Sequence, residues 1–265
     1  MRIVSFVKHV PSSAVTPRLM ASGMGIEEGG LAYEVSEADL YGIEEALHQR
    51  SLHQGSVTAI TLGPGRAKEA LHVAYAKGVD LAIHVVDEAS RGLDPAFNVL
   101  AAAEIVKKLD FDMVFAGIQA EDDLQGQFGI GLAEVLGIPV ITAVTEIRAD
   151  PGAKVATVIR ELGGGFKEEL EIDLPCLLTI QFGIRPLRYT PVMAIVKARS
   201  RRIESVPADT LAVAPRKPAG GGRLHVLKLS YPEDSGRCEL IDGSPEEAAR
   251  KLVKRLAEEG VVCYD

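Results

Sequence analysis

Tryptophan is absent from this 265-residue chain, and aromatic residues make up only 5% of it. A base-stacking platform for single-stranded nucleic acid is therefore not expected. The net charge of −8 at pH 7 also removes the electrostatic attraction on which non-specific binding to a phosphate backbone depends. Cysteine is scarce: Cys176, Cys238 and Cys263 are far apart and odd in number. They form neither a metal motif nor a disulfide framework, which leads us to expect a reducing cytoplasm. No apolar run approaches the roughly 18 residues of a bilayer span. The opening MRIVSFVKHV reads as a strand rather than as the basic and apolar regions of a secretory leader. The six histidines show no ligand spacing, so no metal site is expected. No Ser-His-Asp or Cys-His constellation stands out, and no catalytic residue is assigned.

What is present is alternation. Apolar runs at 2–10, 56–64, 81–87, 112–118 and 138–147 read as strands. Helical spacing falls between them at 36–52, 67–78, 95–110 and 127–137, the first opened by Ser36 and acids as a plausible cap. This pattern predicts a doubly wound, mostly parallel α/β sheet. After about residue 145 the texture changes. KVATVIRELGGGFKEELEIDLPCLLTIQ alternates apolar and polar and reads as a hairpin over 150–180 turning at its glycines. The stretch 184–200 begins irregularly, with two prolines, and turns basic. RKPAGGGR (216–223) reads as a linker, and 244–260 as an amphipathic helix with a Ser244/Glu247 capping box and an apolar stripe of Leu252, Val253 and Leu256. The expected organisation is one α/β domain over 1–205 and a C-terminal arm over 206–265.

Ligands of open parallel sheets bind beyond the C-terminal strand ends. Four segments reach that edge, among them GPGR after the second strand and GIQAEDDLQGQFG (117–129) after the fourth. Neither a P-loop nor a GxGxxG fingerprint is present. The 117–129 loop carries glycines but no Lys or Arg, so any phosphate there meets backbone amides and the neutral Gln125 and Gln127. Asp122 and Asp123 fit a ribose or adenine partner, a loop anchor accepting N–H groups, or a cap on the helix that follows. A bound nucleotide and a merely structural loop are both open at this point. A small nucleotide-using enzyme would need a phosphate-activating cation or metal at this edge. A stress-type sensor of similar layering would lack the hairpin and the arm.

Four stretches in order carry a resemblance: KHVPSS, LGPGRAKEALHVAYAKGVDLAIHV, GIQAEDDLQGQFG and VIRELGGGFKEELEIDLPCLLT. Over about residues 1–204 the chain resembles the β subunit of electron transfer flavoprotein. The resemblance implies an adenine nucleotide α-hydrolase-like fold and a heterodimer with an α subunit that holds most of the working FAD. It implies an electron carrier, not itself membrane-embedded, between dehydrogenases such as acyl-CoA dehydrogenases and a membrane quinone oxidoreductase or other acceptor. It also implies a structural AMP in β, or a second FAD and NADH oxidation in bifurcating members.

By position, the implied nucleotide contacts are Phe6; Ser36, Glu37, Ala38 and Asp39; Leu62; and Gly117, Ile118, Gln119, Ala120, Glu121, Asp122, Asp123, Leu124, Gln125, Gly126, Gln127 and Phe128. The implied partner contacts are Arg188 and, as an apolar anchor in the recognition loop, Val192. Arg160 also matches a family arginine. Departures are visible: Leu124 follows the acid pair, Phe128 replaces a Thr, Ser13 replaces a Tyr and Gly163 replaces an acid. Asp122-Asp123 leans towards AMP and Phe128 towards FAD.

Overall fold

The computed structural model describes residues 1–88, 95–213, 227–232 and 238–261. The 216–223 linker lies outside them. In chain order the elements are β1 (Arg2–Phe6), β2 (His9–Pro11), β3 (Tyr33–Val35), α1 (Glu37–His53), β4 (Ser56–Gly63), α2 (Lys68–Lys77), β5 (Leu81–Val86) and α3 (Pro95–Val106). They continue with β6 (Met113–Gly117), α4 (Phe128–Leu136), β7 (Val140–Asp150), β8 (Val155–Gly163), β9 (Phe166–Asp173), β10 (Cys176–Ile180), α5 (Val192–Arg199), β11 (Glu204–Pro207) and α6 (Pro245–Glu258).

Among the described residues, nine strands form one sheet in the order β11-β5-β4-β1-β6-β10-β7-β8-β9. Pairing is parallel from β11 through to β7, while β8 is antiparallel to both β7 and β9. Successive side chains of a strand enter opposite layers. Ile3 joins Ile43, Leu47, Leu71 and Tyr75 beneath α1 and α2. Val4 joins Val99, Ala102 and Leu132 beneath α3 and α4. The sheet is thus covered on both faces, as a parallel sheet must be to bury its two apolar sides.

The expected hairpin is confined to β8 and β9. They turn through Gly164 and Gly165, with φ of +61° and +83°. Two consecutive positive φ values are what a two-residue type I′ turn requires. β10, expected as part of that hairpin, instead inserts between β6 and β7. All five of its residues, CLLTI, are buried, so it carries the continuous apolar run of a central parallel strand rather than alternation. The expected 2–10 strand also divides. Val7 N–H still reaches Ile60 O at 2.9 Å, but β2 then pairs with β3 in a separate ribbon. The helix α5 had no sequence expectation behind it.

Two compact units are present, Met1–Leu227 and Lys228–Asp265. The first runs past residue 205 because β11 pairs with β5 and Ala208 and Leu211 pack into the core. Within the second, α6 opens with the capping box of Ser244 and Glu247 and has Pro245 in its first turn. Leu252 and Val253 of its apolar stripe are exposed within that unit.

Candidate functional site

The chain runs outward from β1 through β4 to β5, then returns by α3 to β6 on the other side of β1. The β1–β6 boundary is therefore the switch point, where loops leaving neighbouring strands diverge and open a crevice. Phe6 ends β1 and Gly117 ends β6 at this boundary.

Asp39, in the first turn of α1, ties the two strand ends together. Its Oδ1 accepts from Gly117 N–H and its Oδ2 from Lys8 N–H, both at 2.8 Å. Glycine at 117 is a steric necessity: a Cβ there would lie 2.6 Å from Asp39 Oδ1 and 2.8 Å from Ala38 Cβ. Burial pushes the Asp39 carboxyl up to about 7, outweighing the two amide bonds that pull it down. A raised acid pKa means the folded state holds the proton more tightly than the unfolded chain. Asp39 therefore contributes stability that is lost as pH rises from about 4 to about 7. In urea unfolding, the margin of the parent over Asp39→Asn should narrow between pH 5 and pH 7.5. A margin that is flat or widens would contradict this assignment.

The acids of the loop do not cap α4. Gln127 occupies its N-cap position, with no side-chain cap bond. Asp122 Oδ1 and Asp123 Oδ2 instead take the two hydrogen bonds of Lys8 Nζ, at 2.6 and 2.8 Å. The cation missing from the loop is thus delivered by the end of β1. Burial alone would lower the Lys8 pKa; the charges and bonds of Asp122 and Asp123 reverse this and hold it above its ordinary value. Asp123 Oδ1 also accepts from Gln125 N–H at 3.1 Å, and Glu121 Oε1 accepts from Glu37 N–H at 2.7 Å. That last bond does what Ser36 was expected to do. Ser36 stands at the α1 N-cap but makes no cap bond, and its Oγ is buried without a hydrogen-bond partner.

The remaining loop residues complete the wall. Ile118 N–H bonds Ile180 O at 3.0 Å, and Leu124 N–H bonds Ala120 O at 2.9 Å. Leu124 is held at φ +51° and Gly126 at +61°. Gln119 and Gln127 are exposed, while Gln125 Oε1 is buried without a partner. Phe6 and Phe128 meet edge to face with ring centroids 4.9 Å apart, and Leu62 packs against the same apolar layer. Residues 36–39 and the 117–128 loop are therefore brought together around the end of β1.

Lys8→Met should leave two adjacent carboxylates unneutralised. The partners are about one-third exposed, so the stability loss is only about 1 kcal/mol, a melting shift of about 2–4 °C. The same change should release the loop, read as faster hydrogen exchange over 117–128. Unchanged exchange there would show that Lys8 does not hold it.

Arg188 and Val192 lie elsewhere. Arg188 Nε donates to Glu44 Oε2 at 2.6 Å, in the middle of α1. Val192 opens α5 and is exposed. Arg160 pairs with Glu168 across the hairpin at 2.7 Å. The basic stretch after α5 is not uniformly solvated: Arg201 stacks 4.0 Å over Tyr75 and bonds the carbonyls of Val79 and Asp80. Sequence reasoning placed Lys8 at the ligand edge, two residues beyond a strand end, but did not pair it with Asp122 and Asp123. It also missed the buried pair Glu44 and Glu45, two acids in the middle of an otherwise apolar helical face. No helix among the described residues is long and apolar enough to cross a membrane.

Fold and crevice together define an open, doubly wound α/β protein with a glycine-lined loop at its switch point. A family profile described as the electron transfer flavoprotein domain matches residues 23–211. The electron transfer flavoprotein subunit beta of Clostridium acetobutylicum is 34% identical over 260 residues, covering 98% of this chain and 99% of that protein. The subunit of the same name from Methylophilus methylotrophus is 31% identical over 260 residues, covering 97% and 98%. A protein named caffeyl-CoA reductase-Etf complex subunit CarD, from Acetobacterium woodii, is 31% identical over 266 residues, covering 99% and 100%. The chain belongs to the electron transfer flavoprotein β-subunit family, whose business is flavin-based electron transport.

Proposed function

We propose that this chain is the β partner of a heterodimeric electron transfer flavoprotein, that an AMP occupies the 117–128 loop, and that the chain helps an α subunit hold its FAD. The observation that carries this is the meeting of the α1 N-terminus, the end of β1 and the loop after β6 at one switch point, tied by Asp39, Glu121 and Lys8. An adenine nucleotide fits what is there. Ser36 Oγ and Gln125 Oε1 are buried polar atoms in need of partners. Phe6, Leu62 and Phe128 supply apolar surface. The FAD, when bound, supplies the electron chemistry; this chain positions and shields. Its donors would be acyl-CoA or related dehydrogenases, docking at Val192, with Arg188 on the side of the α subunit and its flavin, and its acceptor a membrane quinone oxidoreductase. The second unit, Lys228–Asp265, would form an arm that closes on the α subunit, since its helix α6 has no buried residue. A cytoplasmic location goes with this reading.

A second reading replaces AMP with a second FAD and adds NADH oxidation. It is favoured by Phe128, whose ring lies on Phe6 and offers no hydroxyl to a phosphate. Denaturing the co-expressed pair and counting released nucleotides by chromatography separates the two. One FAD and one AMP per heterodimer is expected; two FAD and no AMP would establish the second reading, and no nucleotide beyond the α-subunit FAD would overturn both.

A further inference from the structure

Residues 181–191, between β10 and α5, lie on a group of charges buried in α1. Glu44 and Glu45 are adjacent on that helix, with side chains 3% and 0% exposed. Glu44 Oε1 accepts from Lys77 Nζ of α2 at 2.8 Å, and its Oε2 accepts from Arg188 Nε at 2.6 Å. The backbone N–H of Arg188 also reaches Glu44 Oε1, at 3.2 Å. Three residues earlier in the segment, Arg185 Nε donates to Glu45 Oε2 at 2.5 Å. Gln49 holds the other oxygen of Glu45 at 2.7 Å and bonds Ile147 O at 3.1 Å, which fixes the acceptor in place.

Such a group is a weak reason for stability, because apolar residues of similar volume often do as well in its place. What it supplies is register: two cations three residues apart must land on two adjacent carboxylates that cannot move. The far end of α5 is fastened independently. Arg201 bonds Val79 O and Asp80 O at 2.8 and 2.5 Å, and Tyr75 OH donates to Arg202 O at 2.6 Å. Between these fixings, α5 is only eight residues long, too short to hold itself. It nevertheless presents Val192, Met193 and Val196 to solvent at 67%, 65% and 57% exposure.

We propose that Glu44 is a positioning residue for partner docking: by gripping Arg188 from within the core, it sets the place and orientation of the apolar face of α5. This rests on the reading of α5 as the dehydrogenase-docking segment. Glu44 touches neither the partner nor the nucleotide loop. Lys77 has the subsidiary role of neutralising Glu44 in the interior, and Arg188 transmits the position to the helix that follows.

The test uses the co-expressed heterodimer and three variants. Lys77→Met keeps the Glu44–Arg188 bond. Glu44→Leu/Lys77→Met removes the buried carboxylate and the buried ammonium together and leaves Arg188 no side-chain acceptor at position 44. Val192→Asp tests the docking face itself. Hydrogen exchange over 185–199 is measured beside the steady-state reduction of the heterodimer by a medium-chain acyl-CoA dehydrogenase turning over octanoyl-CoA. Relative to Lys77→Met, the double variant should exchange about tenfold faster over 185–199 and show a KM raised about tenfold at unchanged kcat. Exchange over 117–128 and nucleotide content should stay as in the parent. Exchange and KM within about twofold of Lys77→Met would overturn the proposal. Should Val192→Asp raise KM while the double variant does not, the proposal alone fails. Should Val192→Asp leave KM unchanged, the docking reading fails and takes the proposal with it. If the double variant yields no heterodimer, Glu44→Asp decides: it keeps the charge but is a methylene too short to grip both cations. A raised KM with normal nucleotide content supports the role, and a parental KM overturns it.

Discussion

Replacing Gly117 by alanine is expected to lower the melting temperature of the heterodimer by about 6–12 °C and to strip most of the nucleotide from β. The added Cβ would lie 2.6 Å from Asp39 Oδ1 and 2.8 Å from Ala38 Cβ. Neither neighbour can give way. Ala38 is fully buried against the sheet, and Asp39 is already held by two backbone amides. The end of β6 must then part from α1. Overpacking costs about 1–3 kcal/mol, and leaving the Gly117 N–H or the Asp39 oxygen without its partner about 1–3 kcal/mol. Because the same contact closes the crevice, stability and nucleotide content should fall together. Thermal melts with a nucleotide count on the same sample check this. A variant that melts like the parent and keeps its nucleotide would show that the approach of α1 to β6 is not what shapes the site.

Glu44→Ala should be the most destabilising single change in the buried charge group, by about 3–5 kcal/mol, since it strands a cation in the interior. The Lys77 side chain is 6% exposed, so its ammonium is left in the interior. Burial pushes the Glu44 carboxyl up, but the bonds and charges of Lys77 and Arg188 outweigh it and hold the group below the ordinary carboxylate range. The group is therefore fully formed at neutral pH and is lost only as pH falls through that lowered value. Adding Lys77→Met to Glu44→Ala should recover much of the loss, because the stranded charge leaves with its partner. Urea unfolding of the two single variants and the double measures the coupling. Strict additivity would mean that the two side chains do not depend on each other.

The alternation of strands and helices up to residue 145 was legible because burial on one helical face or within a parallel strand leaves a local periodic trace. The same holds for the Ser244/Glu247 box of α6 and the glycine turn of β8 and β9, where a few neighbouring residues decide the geometry. β10 was misplaced in the hairpin because a strand's partners are not written in its own residues: CLLTI reads as a strand in either location. The helix α5 was missed because its position depends on contacts to α1 and α2, more than a hundred residues earlier in the chain.

The 117–128 loop shows the same division. Its glycines, its acids and its place after a strand could be read directly, and with them the candidate ligand edge. The sequence by itself determined the fold class and the family and singled out the 117–128 loop as the candidate site, since each of these rests on local pattern. Only the tertiary structure decided that Lys8 neutralises the acid pair, that Asp39 ties the start of α1 to two strand ends, and that Glu44 reaches Arg188 ahead of α5. Those are charge and hydrogen-bond pairings between residues 31 to 144 positions apart. Local periodicity carries no information about such partners; strand order and helix packing choose them.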